Sequence, residues 1–186
     1  CDPGMDPAPL LDHLQQHDLL VKQIILTHAH VDHIAGIDAV SHCFDDPPIL
    51  VHPEEQQWLN QPELNLSSLS GFDVTTRPAT GTIVDGQSVS VGVEEAKVWH
   101  LPGHSPGSIG LYFQTKNILI GGDTLFQGSI GRTDFPTSEP EAMEASLRRL
   151  LTLPDETRVY PGHGPSTTIG QERQTNPFLR ALVETS

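Results

Sequence analysis

The chain has 186 residues, with 24 acidic and 10 basic side chains and a formal charge of −14 at pH 7. That length suits one domain of ordinary size with a substantial core, so residues 1–186 read as a single domain. The acidity and the lack of any dense Lys/Arg run exclude a partner recognised through its phosphates, and no apolar run approaches the roughly 20 residues of a membrane-spanning helix.

Asp6-Pro7 predicts an N-cap followed by proline, opening a helix to about Asp18 with Leu10, Leu11 and Leu14 as its buried stripe. Val21 to Thr27 reads as a strand whose Ile24-Ile25-Leu26 run is too continuous for a one-sided sheet. His28-Ala-His-Val-Asp-His33 follows at once, and a helix is expected to begin there and run to about Val40. Pro47-Pro48 breaks the chain before a strand at Ile49 to His52, a helix at Pro53 to Leu59 and a polar segment from Asn65 to Gly71.

Short β-rich runs then appear at Ile83-Val84, Ser88 to Val91, Ala96 to Leu101, Ile109 to Phe113 and Ile118 to Ile120. Asp85-Gly86 predicts a hairpin between the first two. Ser138-Glu-Pro-Glu141 has the form of a capping box ahead of Met143, Leu147, Leu150 and Leu151 at helical spacing. Arg158-Val-Tyr160 reads as a last strand, ended by Pro161-Gly-His-Gly-Pro165. Alternating helices and strands around a strand-rich centre predict a layered α/β domain with mixed sheets.

Four metal-competent side chains, His28, His30, Asp32 and His33, crowd into six residues. Positions i and i+2 leaving a strand point the same way, which suits His28 and His30 sharing a metal. Asp32 and His33, in the turn that follows, can face a second one. Three further candidates lie at predicted strand ends beside glycine: His104 in Pro102-Gly-His-Ser-Pro106, Asp123 in Gly121-Gly-Asp-Thr124 and His163 in Pro161-Gly-His-Gly164. Glycine lets backbone approach a buried centre closely. Imidazole with carboxylate suits Zn²⁺ or Fe, whereas calcium wants mainly oxygen. Of the other histidines, His13 and His17 suit an exposed helix face, His42 a loop, His52 a structural strand end and His100 a strand. No Ser–His–Asp arrangement supplies a competing nucleophile.

HAHVDH at 28–33, followed in order by PGHSPG, GGDTLF and YPGHGP, resembles the metallo-β-lactamase superfamily, and most closely its glyoxalase II-like (hydroxyacylglutathione hydrolase-like) branch of single-domain hydrolases. The resemblance runs from Asp2-Pro-Gly4 to Asn176-Pro-Phe178 and includes Asn65-Leu-Ser67 and Gly128 to Phe135. It implies an αββα sandwich of two mixed β-sheets flanked by helices. Two strands that usually precede the Asp-Pro-Gly segment are missing from this sequence.

It also implies two divalent metal ions, Zn²⁺ first with Fe or Mn²⁺ also accepted. One would be held by His28, His30 and His104 and the other by Asp32, His33 and His163, with Asp123 bridging. Asp32 and Asp123 would be the catalytic carboxylates. The implied reaction is attack of a metal-bridging hydroxide on a thioester such as S-lactoylglutathione, with Arg132 either clamping a substrate carboxylate or making a salt bridge within its loop.

Two features depart from the glutathione-binding pattern. Asp134 stands where an aromatic residue usually helps hold glutathione, and the sequence stops at Ser186 without the C-terminal helical domain. A sister family that shares the Gly131-Arg-Thr-Asp-Phe135 stretch gives the alternative, a persulfide dioxygenase with one iron. Cys1 and Cys43 are too few for a disulfide framework and no export signal is visible, so a cytoplasmic setting is expected. The expected partner is a small-molecule substrate, with no nucleic acid and no membrane, and the chain itself a monomer or homodimer.

Overall fold

The computed structural model describes residues 1–184, which divide into two compact units, the first Cys1–Ile83 and the second opening at Val84. In the first unit, α1 (Ala8–Gln16) precedes β1 (Ile24–Ile25), α2 (Val31–Ile34), α3 (Ile37–Cys43), β2 (Ile49–Val51) and β3 (Gly81–Thr82). The three strands form a parallel sheet in the order β1-β2-β3, with Ile24 opposite Ile49 and Leu50 opposite Gly81. Ile24, Leu26, Ile34, Ile37, Val40, Val51, Trp58 and Leu59 make its core, which explains the unbroken apolar run read from sequence.

The helix expected through Val40 is two helices. The Gly36 amide bonds to the Gly4 carbonyl at 2.7 Å rather than to its own helix, and the ladder restarts at Ile37. The helix expected at Pro53 to Leu59 is likewise two 3₁₀ turns, Pro53–Glu55 and Trp58–Asn60. The second turn buries Trp58 and Leu59.

The second unit contains β4 (Ser88–Val91), β5 (Glu94–His100), β6 (Ile109–Phe113), β7 (Ile118–Gly122), β8 (Leu125–Phe126), β9 (Ser129–Ile130), α4 (Pro140–Leu150), β10 (Arg158–Pro161), β11 (Thr167–Thr168), α5 (Ile169–Thr175) and α6 (Pro177–Glu184). Six strands pair in the order β11-β10-β7-β6-β5-β4. β10 runs parallel to β7 and the other neighbours are antiparallel, so this sheet is mixed. β8 and β9 form a separate ribbon. Leu101, Leu119, Leu125, Met143, Leu147, Leu150, Val159, Ile169 and Leu179 pack as the core.

Two local expectations are corrected. Asp85-Gly86 does turn the chain, with the Gln87 amide bonded to the Val84 carbonyl at 3.2 Å. It makes no hairpin, because β3 pairs with β2 whereas β4 pairs with β5 through a turn at Gly92. The capping box does not form either. Glu139 is the N-cap of α4 with no side-chain bond, and the Ser138 hydroxyl donates instead to the His104 carbonyl at 2.6 Å.

The last three elements were not read from sequence. α5 is capped by the Thr168 hydroxyl, which accepts from the Gln171 amide at 3.2 Å. Its fully buried Glu172 accepts from the Gly128 amide at 2.7 Å, from Asn176 at 2.9 Å and from the Thr167 hydroxyl. This carboxylate ties the tip of the β8–β9 ribbon to α5. Among the described residues, no helix is long and apolar enough to cross a membrane.

Candidate metal centre

In the first unit, β1 delivers the chain through buried Leu26 and Thr27 to His28, and His30 caps α2 in an extended conformation. The backbone between them is pinned from the side. The Ala29 amide donates to the buried Glu55 carboxylate at 2.5 Å, and the Val31 amide to the Asn65 carbonyl at 2.8 Å. Asn65 is itself fixed by bonds to Trp58, Val74 and Ser67. Neither Glu55 nor Asn65 had been read as support for the histidines, and nothing in their local sequence ties them to residues about 25–35 positions away.

His28, His30 and His33 are all buried, as are their Nε2 atoms. His28 and His30 offer ligand atoms within 4.8 Å of each other, as do His28 with His33 and Asp32 with His33. The His28 ring centroid lies 4.7 Å from that of His30 and 4.0 Å from that of His33, and His30 stacks on Trp58 at 5.8 Å.

Asp2 organises this group. Its carboxylate accepts from the Thr27 amide at 2.7 Å, the Thr27 hydroxyl at 2.6 Å and His33 Nδ1 at 3.0 Å. A carboxylate can only accept, so His33 carries its proton on Nδ1 and its lone pair on Nε2, the nitrogen that could ligate a metal. The Thr27 hydroxyl has given its hydrogen to Asp2, and its oxygen stands 3.3 Å from His28 Nδ1, favouring the same tautomer there. Burial pushes the Asp2 carboxyl upward, but the His33 bond and charge and the Thr27 hydroxyl outweigh it and hold the group below the ordinary carboxylate value.

In the second unit, His104 sits in the β5–β6 loop, Asp123 follows β7 and His163 follows β10. Gly103, at φ +135°, lies so close to α4 that a Cβ would collide with the Met143 backbone. A Cβ on Gly131 would collide with the Asp123 carbonyl oxygen. These two glycines admit backbone where no side chain fits, whereas Gly164 beside His163 has open space around it and is set apart by its φ of +78°. His104 Nδ1 donates to the Arg132 carbonyl at 2.9 Å, which again leaves the lone pair on Nε2, the nitrogen that could ligate a metal.

His104 Nε2 and His163 Nε2 lie 3.6 and 3.5 Å from the same Asp123 oxygen, Oδ2. These separations exceed ordinary hydrogen bonds. They match the roughly 3.4 Å between two donors on one tetrahedral ion with bonds of about 2.0–2.1 Å. Asp123 and His104 are buried, whereas the His163 side chain is 55% exposed. The donor set, imidazole nitrogen with carboxylate oxygen, fits a borderline divalent ion.

The structure thus gathers His28, His30, Asp32 and His33 in one unit and His104, Asp123 and His163 in the other. Arg132 is differently engaged. Its guanidinium makes a bidentate pair with Asp134 at 2.8 and 2.9 Å and lies over the Phe135 ring at 4.4 Å. The hydrogen bonds from Arg132 hold the exposed Asp134 carboxyl below its ordinary value.

Residues 2–163 match the Metallo-beta-lactamase superfamily, and the chain belongs to it. It is 41% identical over 183 residues to a probable metallo-hydrolase of Streptococcus pyogenes, covering 96% of this chain and 79% of that protein. It is 35% identical over 187 residues to the hydroxyacylglutathione hydrolase GloC of Haemophilus influenzae, covering 97% and 86%. The crystal structure of BLEG-1 B3 metallo-beta-lactamase matches with a TM-score of 0.91 and 45% identity, covering 96% of this chain and 86% of that one. A protein solved in a di-iron-bound form matches at 0.85 and 40%, covering 96% and 87%. ETHE1 from Myxococcus xanthus matches at 0.73 and 27%, covering 100% and 79%. The chain is a metallo-hydrolase of this superfamily, whose members use divalent metals, and its α/β architecture is the superfamily fold.

Proposed function

We propose that the chain is a binuclear thioesterase cleaving acylated thiols such as S-lactoylglutathione. His28, His30 and His104 would hold one ion, Asp32, His33 and His163 the other, and Asp123 would bridge them. The observation that carries this reading is the placement of His104 and His163 at ligand spacing from a single oxygen of buried Asp123. The 35% identity to a hydroxyacylglutathione hydrolase supports the substrate class. Zinc is the proposed metal; iron and manganese suit the same donors, and availability decides among them.

Divalent ions at such a centre supply a water acidified toward neutral pH and a Lewis acid for the carbonyl. The protein's part is to orient and to move protons. Asp2 and the Arg132 carbonyl fix the proton on Nδ1 of His33 and His104, so no tautomer change is needed to present Nε2. Asp32, whose side chain is 35% exposed, receives the proton of the attacking water at a carboxylate oxygen. The thiolate leaves without protonation, which favours a thioester over an amide.

Arg132 would exchange Asp134 for a substrate carboxylate. Both side chains are about two-thirds exposed, and an ion pair so open to water is weakly held, so the exchange is easy. The partner is then a small molecule, met in the cytoplasm by a monomer or homodimer. Metal analysis coupled to thiol release from S-lactoylglutathione tests the proposal. The likeness to ETHE1 favours one second reading, oxidation of a persulfide at a single iron. Iron-dependent oxygen consumption with glutathione persulfide would replace the first reading with that one.

A further inference from the structure

Outside the seven donors, another pair of metal-competent side chains stands together on α1. His13 lies in its last turn and His17 is its C-cap. Residues four apart share one helix face, and here the two ring centroids are 4.2 Å apart with 34° between the planes. His17 Nδ1 lies 2.9 Å from the His13 carbonyl oxygen. A carbonyl only accepts, so Nδ1 carries the hydrogen and Nε2 of His17 keeps its lone pair. The pair also sits at the end of the helix where the last carbonyls concentrate partial negative charge, which favours a cation. His13 and His17 are both exposed.

We propose that His13 and His17 form a surface chelate for a borderline divalent transition-metal ion of the Ni²⁺, Cu²⁺ or Zn²⁺ class, with water completing its coordination. Two neutral imidazoles select such ions over Ca²⁺ or Mg²⁺, which want oxygen donors. The affinity comes from chelation. Once one imidazole binds, the second is held nearby at high effective concentration, so losing either ring loses more than half of the site. This site requires nothing of the substrate reading and stands or falls separately from it.

The test is calorimetric titration of Ni²⁺ into protein loaded with zinc and then desalted, so that the buried donors stay filled while weakly held surface ions are removed. One further ion per chain is expected in the wild type. His13→Gln and His17→Gln should each weaken it at least about tenfold. A double variant, Gln15→His with His17→Gln, keeps the number of histidines but sets the second ring two residues from His13 and off its face, and it should fail in the same way. Paramagnetic broadening by substoichiometric Ni²⁺ should also fall first on the ring resonances of His13 and His17 in the unaltered chain. No further ion in the wild type, unchanged affinity in either single variant, or broadening that starts elsewhere would overturn the proposal.

Discussion

A histidine that ligates through Nε2 must keep its proton on Nδ1, and two of the candidate donors have a group that enforces this. For His33 that group is Asp2, 31 residues away in sequence; for His104 it is the Arg132 carbonyl, 28 residues away. Asp2→Asn offers one accepting oxygen in place of two and an amide hydrogen toward a ring N–H. It should weaken metal binding by about 10–100-fold, measured by competition with a chromophoric chelator, while far-UV circular dichroism stays unchanged. The donors themselves were legible in the sequence, because four crowd into one hexapeptide and three stand beside motif glycines. The residues that aim them were not. Asp2 stands 31 residues from the ring it holds, and Arg132 acts on His104 through its carbonyl, which no side-chain pattern reveals.

Among the elements, β6 and α4 were readable because a buried run and a helical stripe each declare a period. Turns misled where their chemistry was right but their partner was not. Asp85-Gly86 turns as its residues demand, yet the strand before it takes its ladder from β2. Asp85 instead works across the second unit, accepting from the His100 amide at 2.8 Å and from Arg149 at 2.7 Å. Burial raises its carboxyl, but these bonds and the Arg149 charge prevail and hold it below the ordinary value. A depressed carboxyl contributes stability above its unfolded value of about 3.9 and loses it as pH falls through the folded value. Stability of the wild type should therefore fall more steeply than that of Asp85→Asn below about pH 4, compared by urea unfolding across pH. β11, α5 and α6 were not legible, since the weight of α5 rests on one buried polar side chain rather than an apolar stripe. Replacing Glu172 by Gln puts an amide donor against a site that holds only donors. The cost should be about 1–3 kcal/mol, seen as a lowered Tm.

For the whole molecule, the order of the four motifs carries the resemblance to the superfamily, and the matched span of residues 2–163 agrees. What sequence could not supply was the division into two units, each carrying part of the donor set, because a boundary at Ile83 falls in a short β-rich stretch with no linker composition. On the proposed reading, substrate choice rests with exposed loops such as the one that pairs Arg132 with Asp134, and such loops carry no periodic pattern. The central claim is that seven donors make one binuclear thioesterase centre. Its most direct test measures bound metal by elemental analysis and free thiol released from S-lactoylglutathione on the same sample. The account predicts about two ions per chain, thiol release that ceases on chelation and returns with zinc. Fully loaded protein that releases no thiol, or full activity with a single ion, would contradict it.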